Sequence, residues 1–130
     1  MEKLKPNIFV QACPSREIFA RISGKWTIMI LLSLEKTPRR FNELKKTIDG
    51  ISQKVLTENL RSLERDGLIL RKVISSRPIK VEYSSTHLSI ELLGILNGLK
   101  DWTEGSIKLI LRNNEKYDSG IVEEQIRKSA

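Results

Sequence analysis

Apolar residues along this chain change their spacing several times, and each change marks an element. From Ile51 to Leu70, ISQKVLTENLRSLERDGLIL, the residues Leu56, Leu60 and Leu63 stand at i, i+4 and i+7, one stripe of an amphipathic helix. Lys54, Arg61 and Arg65 fall on the opposite side, with Gln53 and Thr57 on a flank. Ser52 is placed to cap the first turn, and Asp66-Gly67 to end the last one. Leu68 to Ile74 and Lys80 to Ser84 are rich in β-formers, and Val81 and Tyr83 share one side of a two-residue alternation. Ser75-Ser76-Arg77-Pro78 between them has turn chemistry, which predicts a hairpin with a basic tip. Upstream, Phe41 to Ile48 predicts a short helix with Phe41, Leu44 and Ile48 on one face, broken by Asp49-Gly50. Short helix, glycine-bearing turn, longer helix and hairpin, in that order, predict a winged helix-turn-helix.

Both flanks read as helical. Ser15 is expected to cap a turn or two carrying Ile18, Phe19 and Ile22, ending at Ser23-Gly24. Lys25 to Lys36 is apolar around most of its circumference, the mark of a central buried helix. Its run is far below the ~20 apolar residues that cross a bilayer. Thr86 to Arg112 predicts a long helical region with Leu88, Leu92, Ile95, Leu96, Leu99 and Trp102 at helical spacing, and Gly105 as its expected break or kink. The expected fold is mainly α with a small β-hairpin wing. Residues 1–112 would form the winged helix-turn-helix domain, with extra N- and C-terminal helices for dimerisation. Residues 113–130 would form a charged, poorly packed or frayed tail.

Composition narrows the chemistry. The 130 residues suit one domain, and 39% hydrophobic content is enough for a single core. One cysteine and one histidine leave too few soft ligands for zinc and no internal disulfide, so neither metal nor cofactor is expected. The opening Met-Glu-Lys-Leu-Lys is too polar for a secretion signal, and no membrane span is evident, which predicts a cytoplasmic protein. No phosphate-binding glycine loop, dinucleotide fingerprint or cysteine–histidine constellation is present, so no enzyme is expected.

The net charge of +7 is unevenly spread. Residues 38–80 hold eleven Lys or Arg against five Asp or Glu, whereas residues 81–130 carry a net −2. The excess therefore sits on the helix-turn-helix and the wing, where binding to a polyanion requires it. A wing that docked on a protein instead of DNA, the alternative reading, would not need that concentration. RNA is disfavoured because the basic region lacks exposed aromatics for stacking unpaired bases.

With these elements in place, the chain resembles the HxlR family of bacterial winged-helix transcriptional regulators over about Cys13 to Trp102. The resemblance rests on Cys13-Pro14, Gly24-Lys25-Trp26, Arg40-Phe41 with Glu43-Leu44, Gly50-Ile51-Ser52, Leu63-Glu64 with Asp66-Gly67-Leu68, Arg71, Val81-Glu82-Tyr83, Thr86 and Trp102. Ser85 stands where the family usually has leucine, and Ser89 near where it often has glycine; both bear on packing at the wing exit. The resemblance implies a homodimer on an inverted-repeat operator of double-stranded DNA. It also implies an interface built from terminal helices, to which Ile18, Phe19, Leu92, Ile95, Leu96, Leu99 and Trp102 would contribute. Several regulators of this type respond through a cysteine next to proline near the N-terminus, which makes Cys13 the candidate sensor of an oxidant, with Arg16 and a helix N-terminus to favour its thiolate. A small-molecule effector is a further expectation.

The DNA-binding candidates follow from their positions. Gln53, Lys54 and Thr57 lie in the half of the helix that would enter the groove, beside the capping Ser52. Gln pairs with adenine, Lys with guanine, and the Thr methyl meets that of thymine. Arg61, further along, and Arg39, Arg40 and Lys45 are expected on phosphates, with Arg77 and Lys80 on the wing. Glu64 is expected to pair with Arg61 or a neighbouring helix. Trp26 and Trp102 read as packing residues, and His87 as structural or solvent-facing.

Overall fold

A computed structural model describes residues 5–120. Its elements run α1 (Pro14–Ile22), α2 (Lys25–Ser33), α3 (Phe41–Thr47), α4 (Gln53–Arg65), β1 (Ile69–Ser76), β2 (Ile79–Ser85) and α5 (His87–Asp118). This is a mainly helical winged helix-turn-helix with a two-stranded antiparallel hairpin and a long C-terminal helix. Two compact units divide it, Met1–Gly94 and Ile95–Ala130.

The core of the first unit is aliphatic. Ile30, Leu31 and Leu34 from α2 and its C-terminal cap, Leu44 from α3, and Leu56, Leu60 and Leu63 from α4 are all buried. Full burial of such a side chain contributes roughly 1.5–3 kcal/mol each, so the leucine back of α4 is what fixes that helix. Both of its ends are closed as the sequence predicts. The Ser52 hydroxyl accepts the Val55 N–H at 3.1 Å. At the other end Gly67 takes φ +77°, and its N–H and that of Leu68 donate to the Glu64 and Leu63 carbonyls. That is a Schellman stop, which only a residue without a β-carbon adopts freely. The turn before α4 uses Gly50 at φ +85°, and a β-carbon there would come within 3.9 Å of Trp26, so this tryptophan packs beside the turn.

In the hairpin, Arg71 opposes Tyr83 and Val73 opposes Val81. The register slips by one residue between Val73 and Ser75, which makes Ile74 a bulge. Ser75 and Ser76 belong to β1, so the turn is only Arg77-Pro78, tighter than the sequence suggests. A third segment joins at the base: Arg39 and Tyr83 exchange backbone hydrogen bonds of 2.9 and 2.7 Å.

The two departures from the family pattern both find partners. The Ser85 hydroxyl donates to the Leu34 carbonyl at 2.9 Å. Ser89, fully buried, accepts the Thr86 N–H at 2.9 Å and donates to the Thr86 carbonyl. Thr86 in turn donates to the Gly67 carbonyl at 2.7 Å.

Two expectations need correction. Ser15 does not cap α1: Pro14 occupies the first helical turn, and Cys13 itself sits at the cap position. Proline fits there because its missing N–H would be unpaired anyway. Nor does Gly105 break the C-terminal helix, which runs unbroken past Asn113 to Asp118. A helix-interior glycine costs only about 1 kcal/mol, too little to end a helix of this length. Residues 121–130 of the expected tail lie outside the described residues.

Candidate nucleic-acid interface

α4 presents its polar N-terminal half to solvent. Ser52, Gln53 and Lys54 are exposed, and Thr57 is half-buried, its hydroxyl donating back to the Gln53 carbonyl at 2.8 Å. That bond engages the Thr57 O–H within its own helix. Arg61 is exposed one turn further along.

α4 is braced from two sides by contacts that join it to α1 and α2. The Arg21 guanidinium forks onto Asp66 at the end of α4, with Nη2–Oδ1 at 2.9 Å and Nε–Oδ2 at 3.2 Å. The Thr27 hydroxyl, on the buried face of α2, donates to Asn59 Oδ1 at 3.0 Å, while Asn59 Nδ2 donates to the Val55 carbonyl. Sequence reasoning missed both braces, because residues 45 and 32 positions apart carry no local signal of pairing. Asp66, not Glu64, is the α4 carboxylate that finds an arginine. Among the described residues Glu64 makes no ion pair, contrary to expectation.

Of the remaining basic candidates, Arg40 and Lys80 share a cavity. Arg40 enters α3, where its N–H donates to Glu43 Oε1 at 2.9 Å, and it lines a groove of about 640 Å³ shared with Lys80 of the wing. The fold thus brings Arg40 and Lys80 together from positions forty residues apart. Thr57 and Arg61 line a second cavity, of about 440 Å³, with Arg71 of β1. Lys45 and Arg77 are exposed but line neither cavity. Arg39 is half-buried, and its Nε lies out of water with no hydrogen-bond partner among the described residues.

Cys13 is half-buried and held by two neighbours, Asn7 and Ser15. Its Sγ lies 3.0 Å from the Ser15 hydroxyl and 3.4 Å from the Asn7 N–H that donates to it. The Ser15 hydroxyl, followed by the backbone N–H groups of Asn7 and Ser15, lowers the thiol below its ordinary value by stabilising the thiolate. Arg16, expected in this role, is not among the causes. No group of His, Cys, Asp and Glu with metal-binding geometry occurs among the described residues, and none of their helices is long and apolar enough to cross a membrane.

The family model for HxlR-like helix-turn-helix proteins matches residues 21–110, which takes in α2 to α4, the wing and most of α5. The chain belongs to this family of DNA-binding transcriptional regulators, which are not enzymes. The HxlR-like chain is 35% identical over 105 residues to the HTH-type transcriptional regulator YtfH of Escherichia coli, itself uncharacterised, covering 81% of this chain and 83% of that protein. It is also similar to a solved structure described as a transcriptional regulator, ytfH from Salmonella typhimurium. There the TM-score is 0.80 and the identity 33%, with 85% of this chain and 99% of that one covered. The redox regulator HypR, solved in its reduced form, matches with a TM-score of 0.70 and 33% identity over 76% of this HxlR-like chain and 98% of its own.

Proposed function

We propose that this HxlR-like regulator acts as a homodimer that reads an inverted-repeat operator through α4 and is switched by oxidation of Cys13. The observation that carries the DNA-reading half is the N-terminal half of α4. It is a capped, doubly braced helix whose exposed Gln53 and Lys54 side chains are free of internal partners among the described residues, as base readout requires. Arg39, Arg40, Lys45 and Arg61 then contact phosphates, and Arg77 and Lys80 carry the wing along the backbone.

Dimerisation draws support from apolar surface that a single chain leaves in water. Ile18 and Phe19 on α1 and Ile95, Leu99 and Trp102 on α5 are exposed, Ile95 by 71% and Trp102 by 62%. Leu96 is only 5% exposed and Leu92 half-buried in the single chain, while Leu88 on the same helix is 57% exposed.

The switch draws support from the bonds that favour the Cys13 thiolate and from the likeness to HypR, a redox regulator. The sequence holds no second cysteine. An azo oxidant such as diamide would therefore take two electrons from two Cys13 thiols, one on each protomer. It would become the hydrazine with both protons, while the sulfurs join as an intersubunit disulfide. With a small thiol present, each diamide instead takes its two electrons from one Cys13 thiol and one small thiol and leaves one mixed disulfide, so a dimer consumes two diamide molecules. Alkylation of Cys13 is expected to show a midpoint below that of an unstructured cysteine peptide, because the thiolate persists to lower pH. Ser15→Ala should move the midpoint upward, and an unchanged profile would remove the Ser15 hydroxyl from the account.

Selection from random duplex DNA, run on reduced and on diamide-treated protein, tests the whole reading. An inverted repeat is expected from the reduced sample, lost on oxidation and retained by Cys13→Ser. Recovery under both conditions would refute the thiol switch alone. Enrichment of a single half-site would refute the dimer, and no enrichment at all would refute sequence-specific reading.

A further inference from the structure

The cavity between α4 and the wing holds two cationic side chains that have no ion-pair partner among the described residues. Thr57, Arg61 and Glu64 reach it from successive turns of α4, and Arg71 and Tyr83 from the hairpin. Arg71 and Tyr83 are direct cross-strand partners, so their side chains stand side by side on one face of the sheet. Tyr83 is fixed from behind by its paired backbone bonds to Arg39. Among the described residues neither the Arg61 nor the Arg71 side chain has an ion pair or a hydrogen-bonded partner, and the one carboxylate in the cavity, Glu64, pairs with neither. Arg21 is the contrast within the same fold, since its fork is consumed by Asp66.

We propose that this cavity is a phosphate-binding site in which Arg61 and Arg71 grip the anion from opposite walls. Guanidinium is the cation whose planar fork matches two oxygens of a phosphate at once, and two forks on separate elements converge here without internal competition. A residual formal charge of +1 for the pair with Glu64 suits the single charge of a phosphodiester or the first charge of a monoester. At about 440 Å³ the cavity is roomier than one phosphate group requires, and Glu64 is placed to accept hydrogen bonds from hydroxyls on the rest of an ester. Two sources share this chemistry: a backbone phosphate of the operator, and a free phosphorylated small molecule. Only the first rests on the DNA reading given above.

The experiment is a titration of the full isotope-labelled chain with inorganic phosphate and with ribose 5-phosphate, followed by amide NMR without DNA. Saturable shifts confined to α4 around Thr57 to Glu64 and to the strands at Arg71 and Tyr83 are expected. Arg71→Ala should weaken them at least about tenfold, and Arg71→Lys, which keeps the charge but not the fork, by less. Arg71 is exposed, so circular dichroism of either variant should match wild type. Shifts that never saturate, that centre elsewhere, or that survive Arg71→Ala unchanged would overturn the site. Salt dependence of duplex binding then separates the sources. A slope reduced by about one in Arg71→Ala assigns the site to a backbone phosphate, whereas an unchanged slope assigns it to a free ester. Failure of the chain to bind any duplex would sink the DNA reading and leave the phosphate titration to decide the site by itself.

Discussion

Alanine at both Gln53 and Lys54 is expected to lower operator affinity by about 1–3 kcal/mol for each base contact removed, and to flatten the preference among operators altered at the contacted pairs. Both side chains are exposed and neither takes part in the cap, which belongs to Ser52, so the helix should keep its stability. Lys80→Ala is the matched control. A wing charge that meets phosphate carries no sequence information, so its loss should weaken every duplex alike and reduce the salt slope by about one. Fluorescence anisotropy with the selected operator and its single-pair variants separates the two behaviours. Wild-type affinity and preference in the double variant would mean that this end of α4 does not face the bases.

Leu56→Ala should be the most damaging single change to the fold. Leu56 is fully buried in the leucine row of α4, the helix that packs against α2 and β1, and truncation there leaves a cavity in the core. Losses of about 2–5 kcal/mol accompany such deletions, a large part of the roughly 5–15 kcal/mol that stabilises a domain. Urea unfolding should show a lower midpoint with little change in slope, since the surface exposed on unfolding is nearly the same. A loss below about 1 kcal/mol would contradict the close packing of that row.

What the sequence reveals depends on how far apart the interacting residues lie. α4 is legible almost to the residue because its signals are local: Ser52, three leucines at helical spacing, and Asp66-Gly67 act within one or two turns. The hairpin is legible for the same reason, save that its turn is shorter than the polar run Ser75–Pro78 suggests. The start of α1 is misplaced because serine is the better capping residue, yet proline at the first helical position moves the cap two residues earlier, to Cys13. Gly105 misleads in the other direction, since thirty-two helical residues outweigh one weak position. Long-range contacts leave no such trace. The Arg21–Asp66 fork, the Thr27–Asn59 bond and the meeting of Arg61 with Arg71 exist only once the helices and wing are assembled. The candidate DNA contacts are legible as a charge concentration, but the meeting of Arg40 with Lys80 is not.

The Thr86 bond to the Gly67 carbonyl gives the wing a further property. It ties the exit of the hairpin to its entrance across nineteen residues, and Ser85, adjoining it, is tied to the end of α2. The wing is therefore a loop closed at its stem, and its tip is free to vary in length. Loop-closure entropy grows slowly, with a doubling of length adding only about 0.6 kcal/mol. Residues inserted between Arg77 and Pro78 would lengthen the reach along a bound duplex while α4 stays anchored. Regulators sharing this stem can thus differ in the length of the wing without redesigning α4.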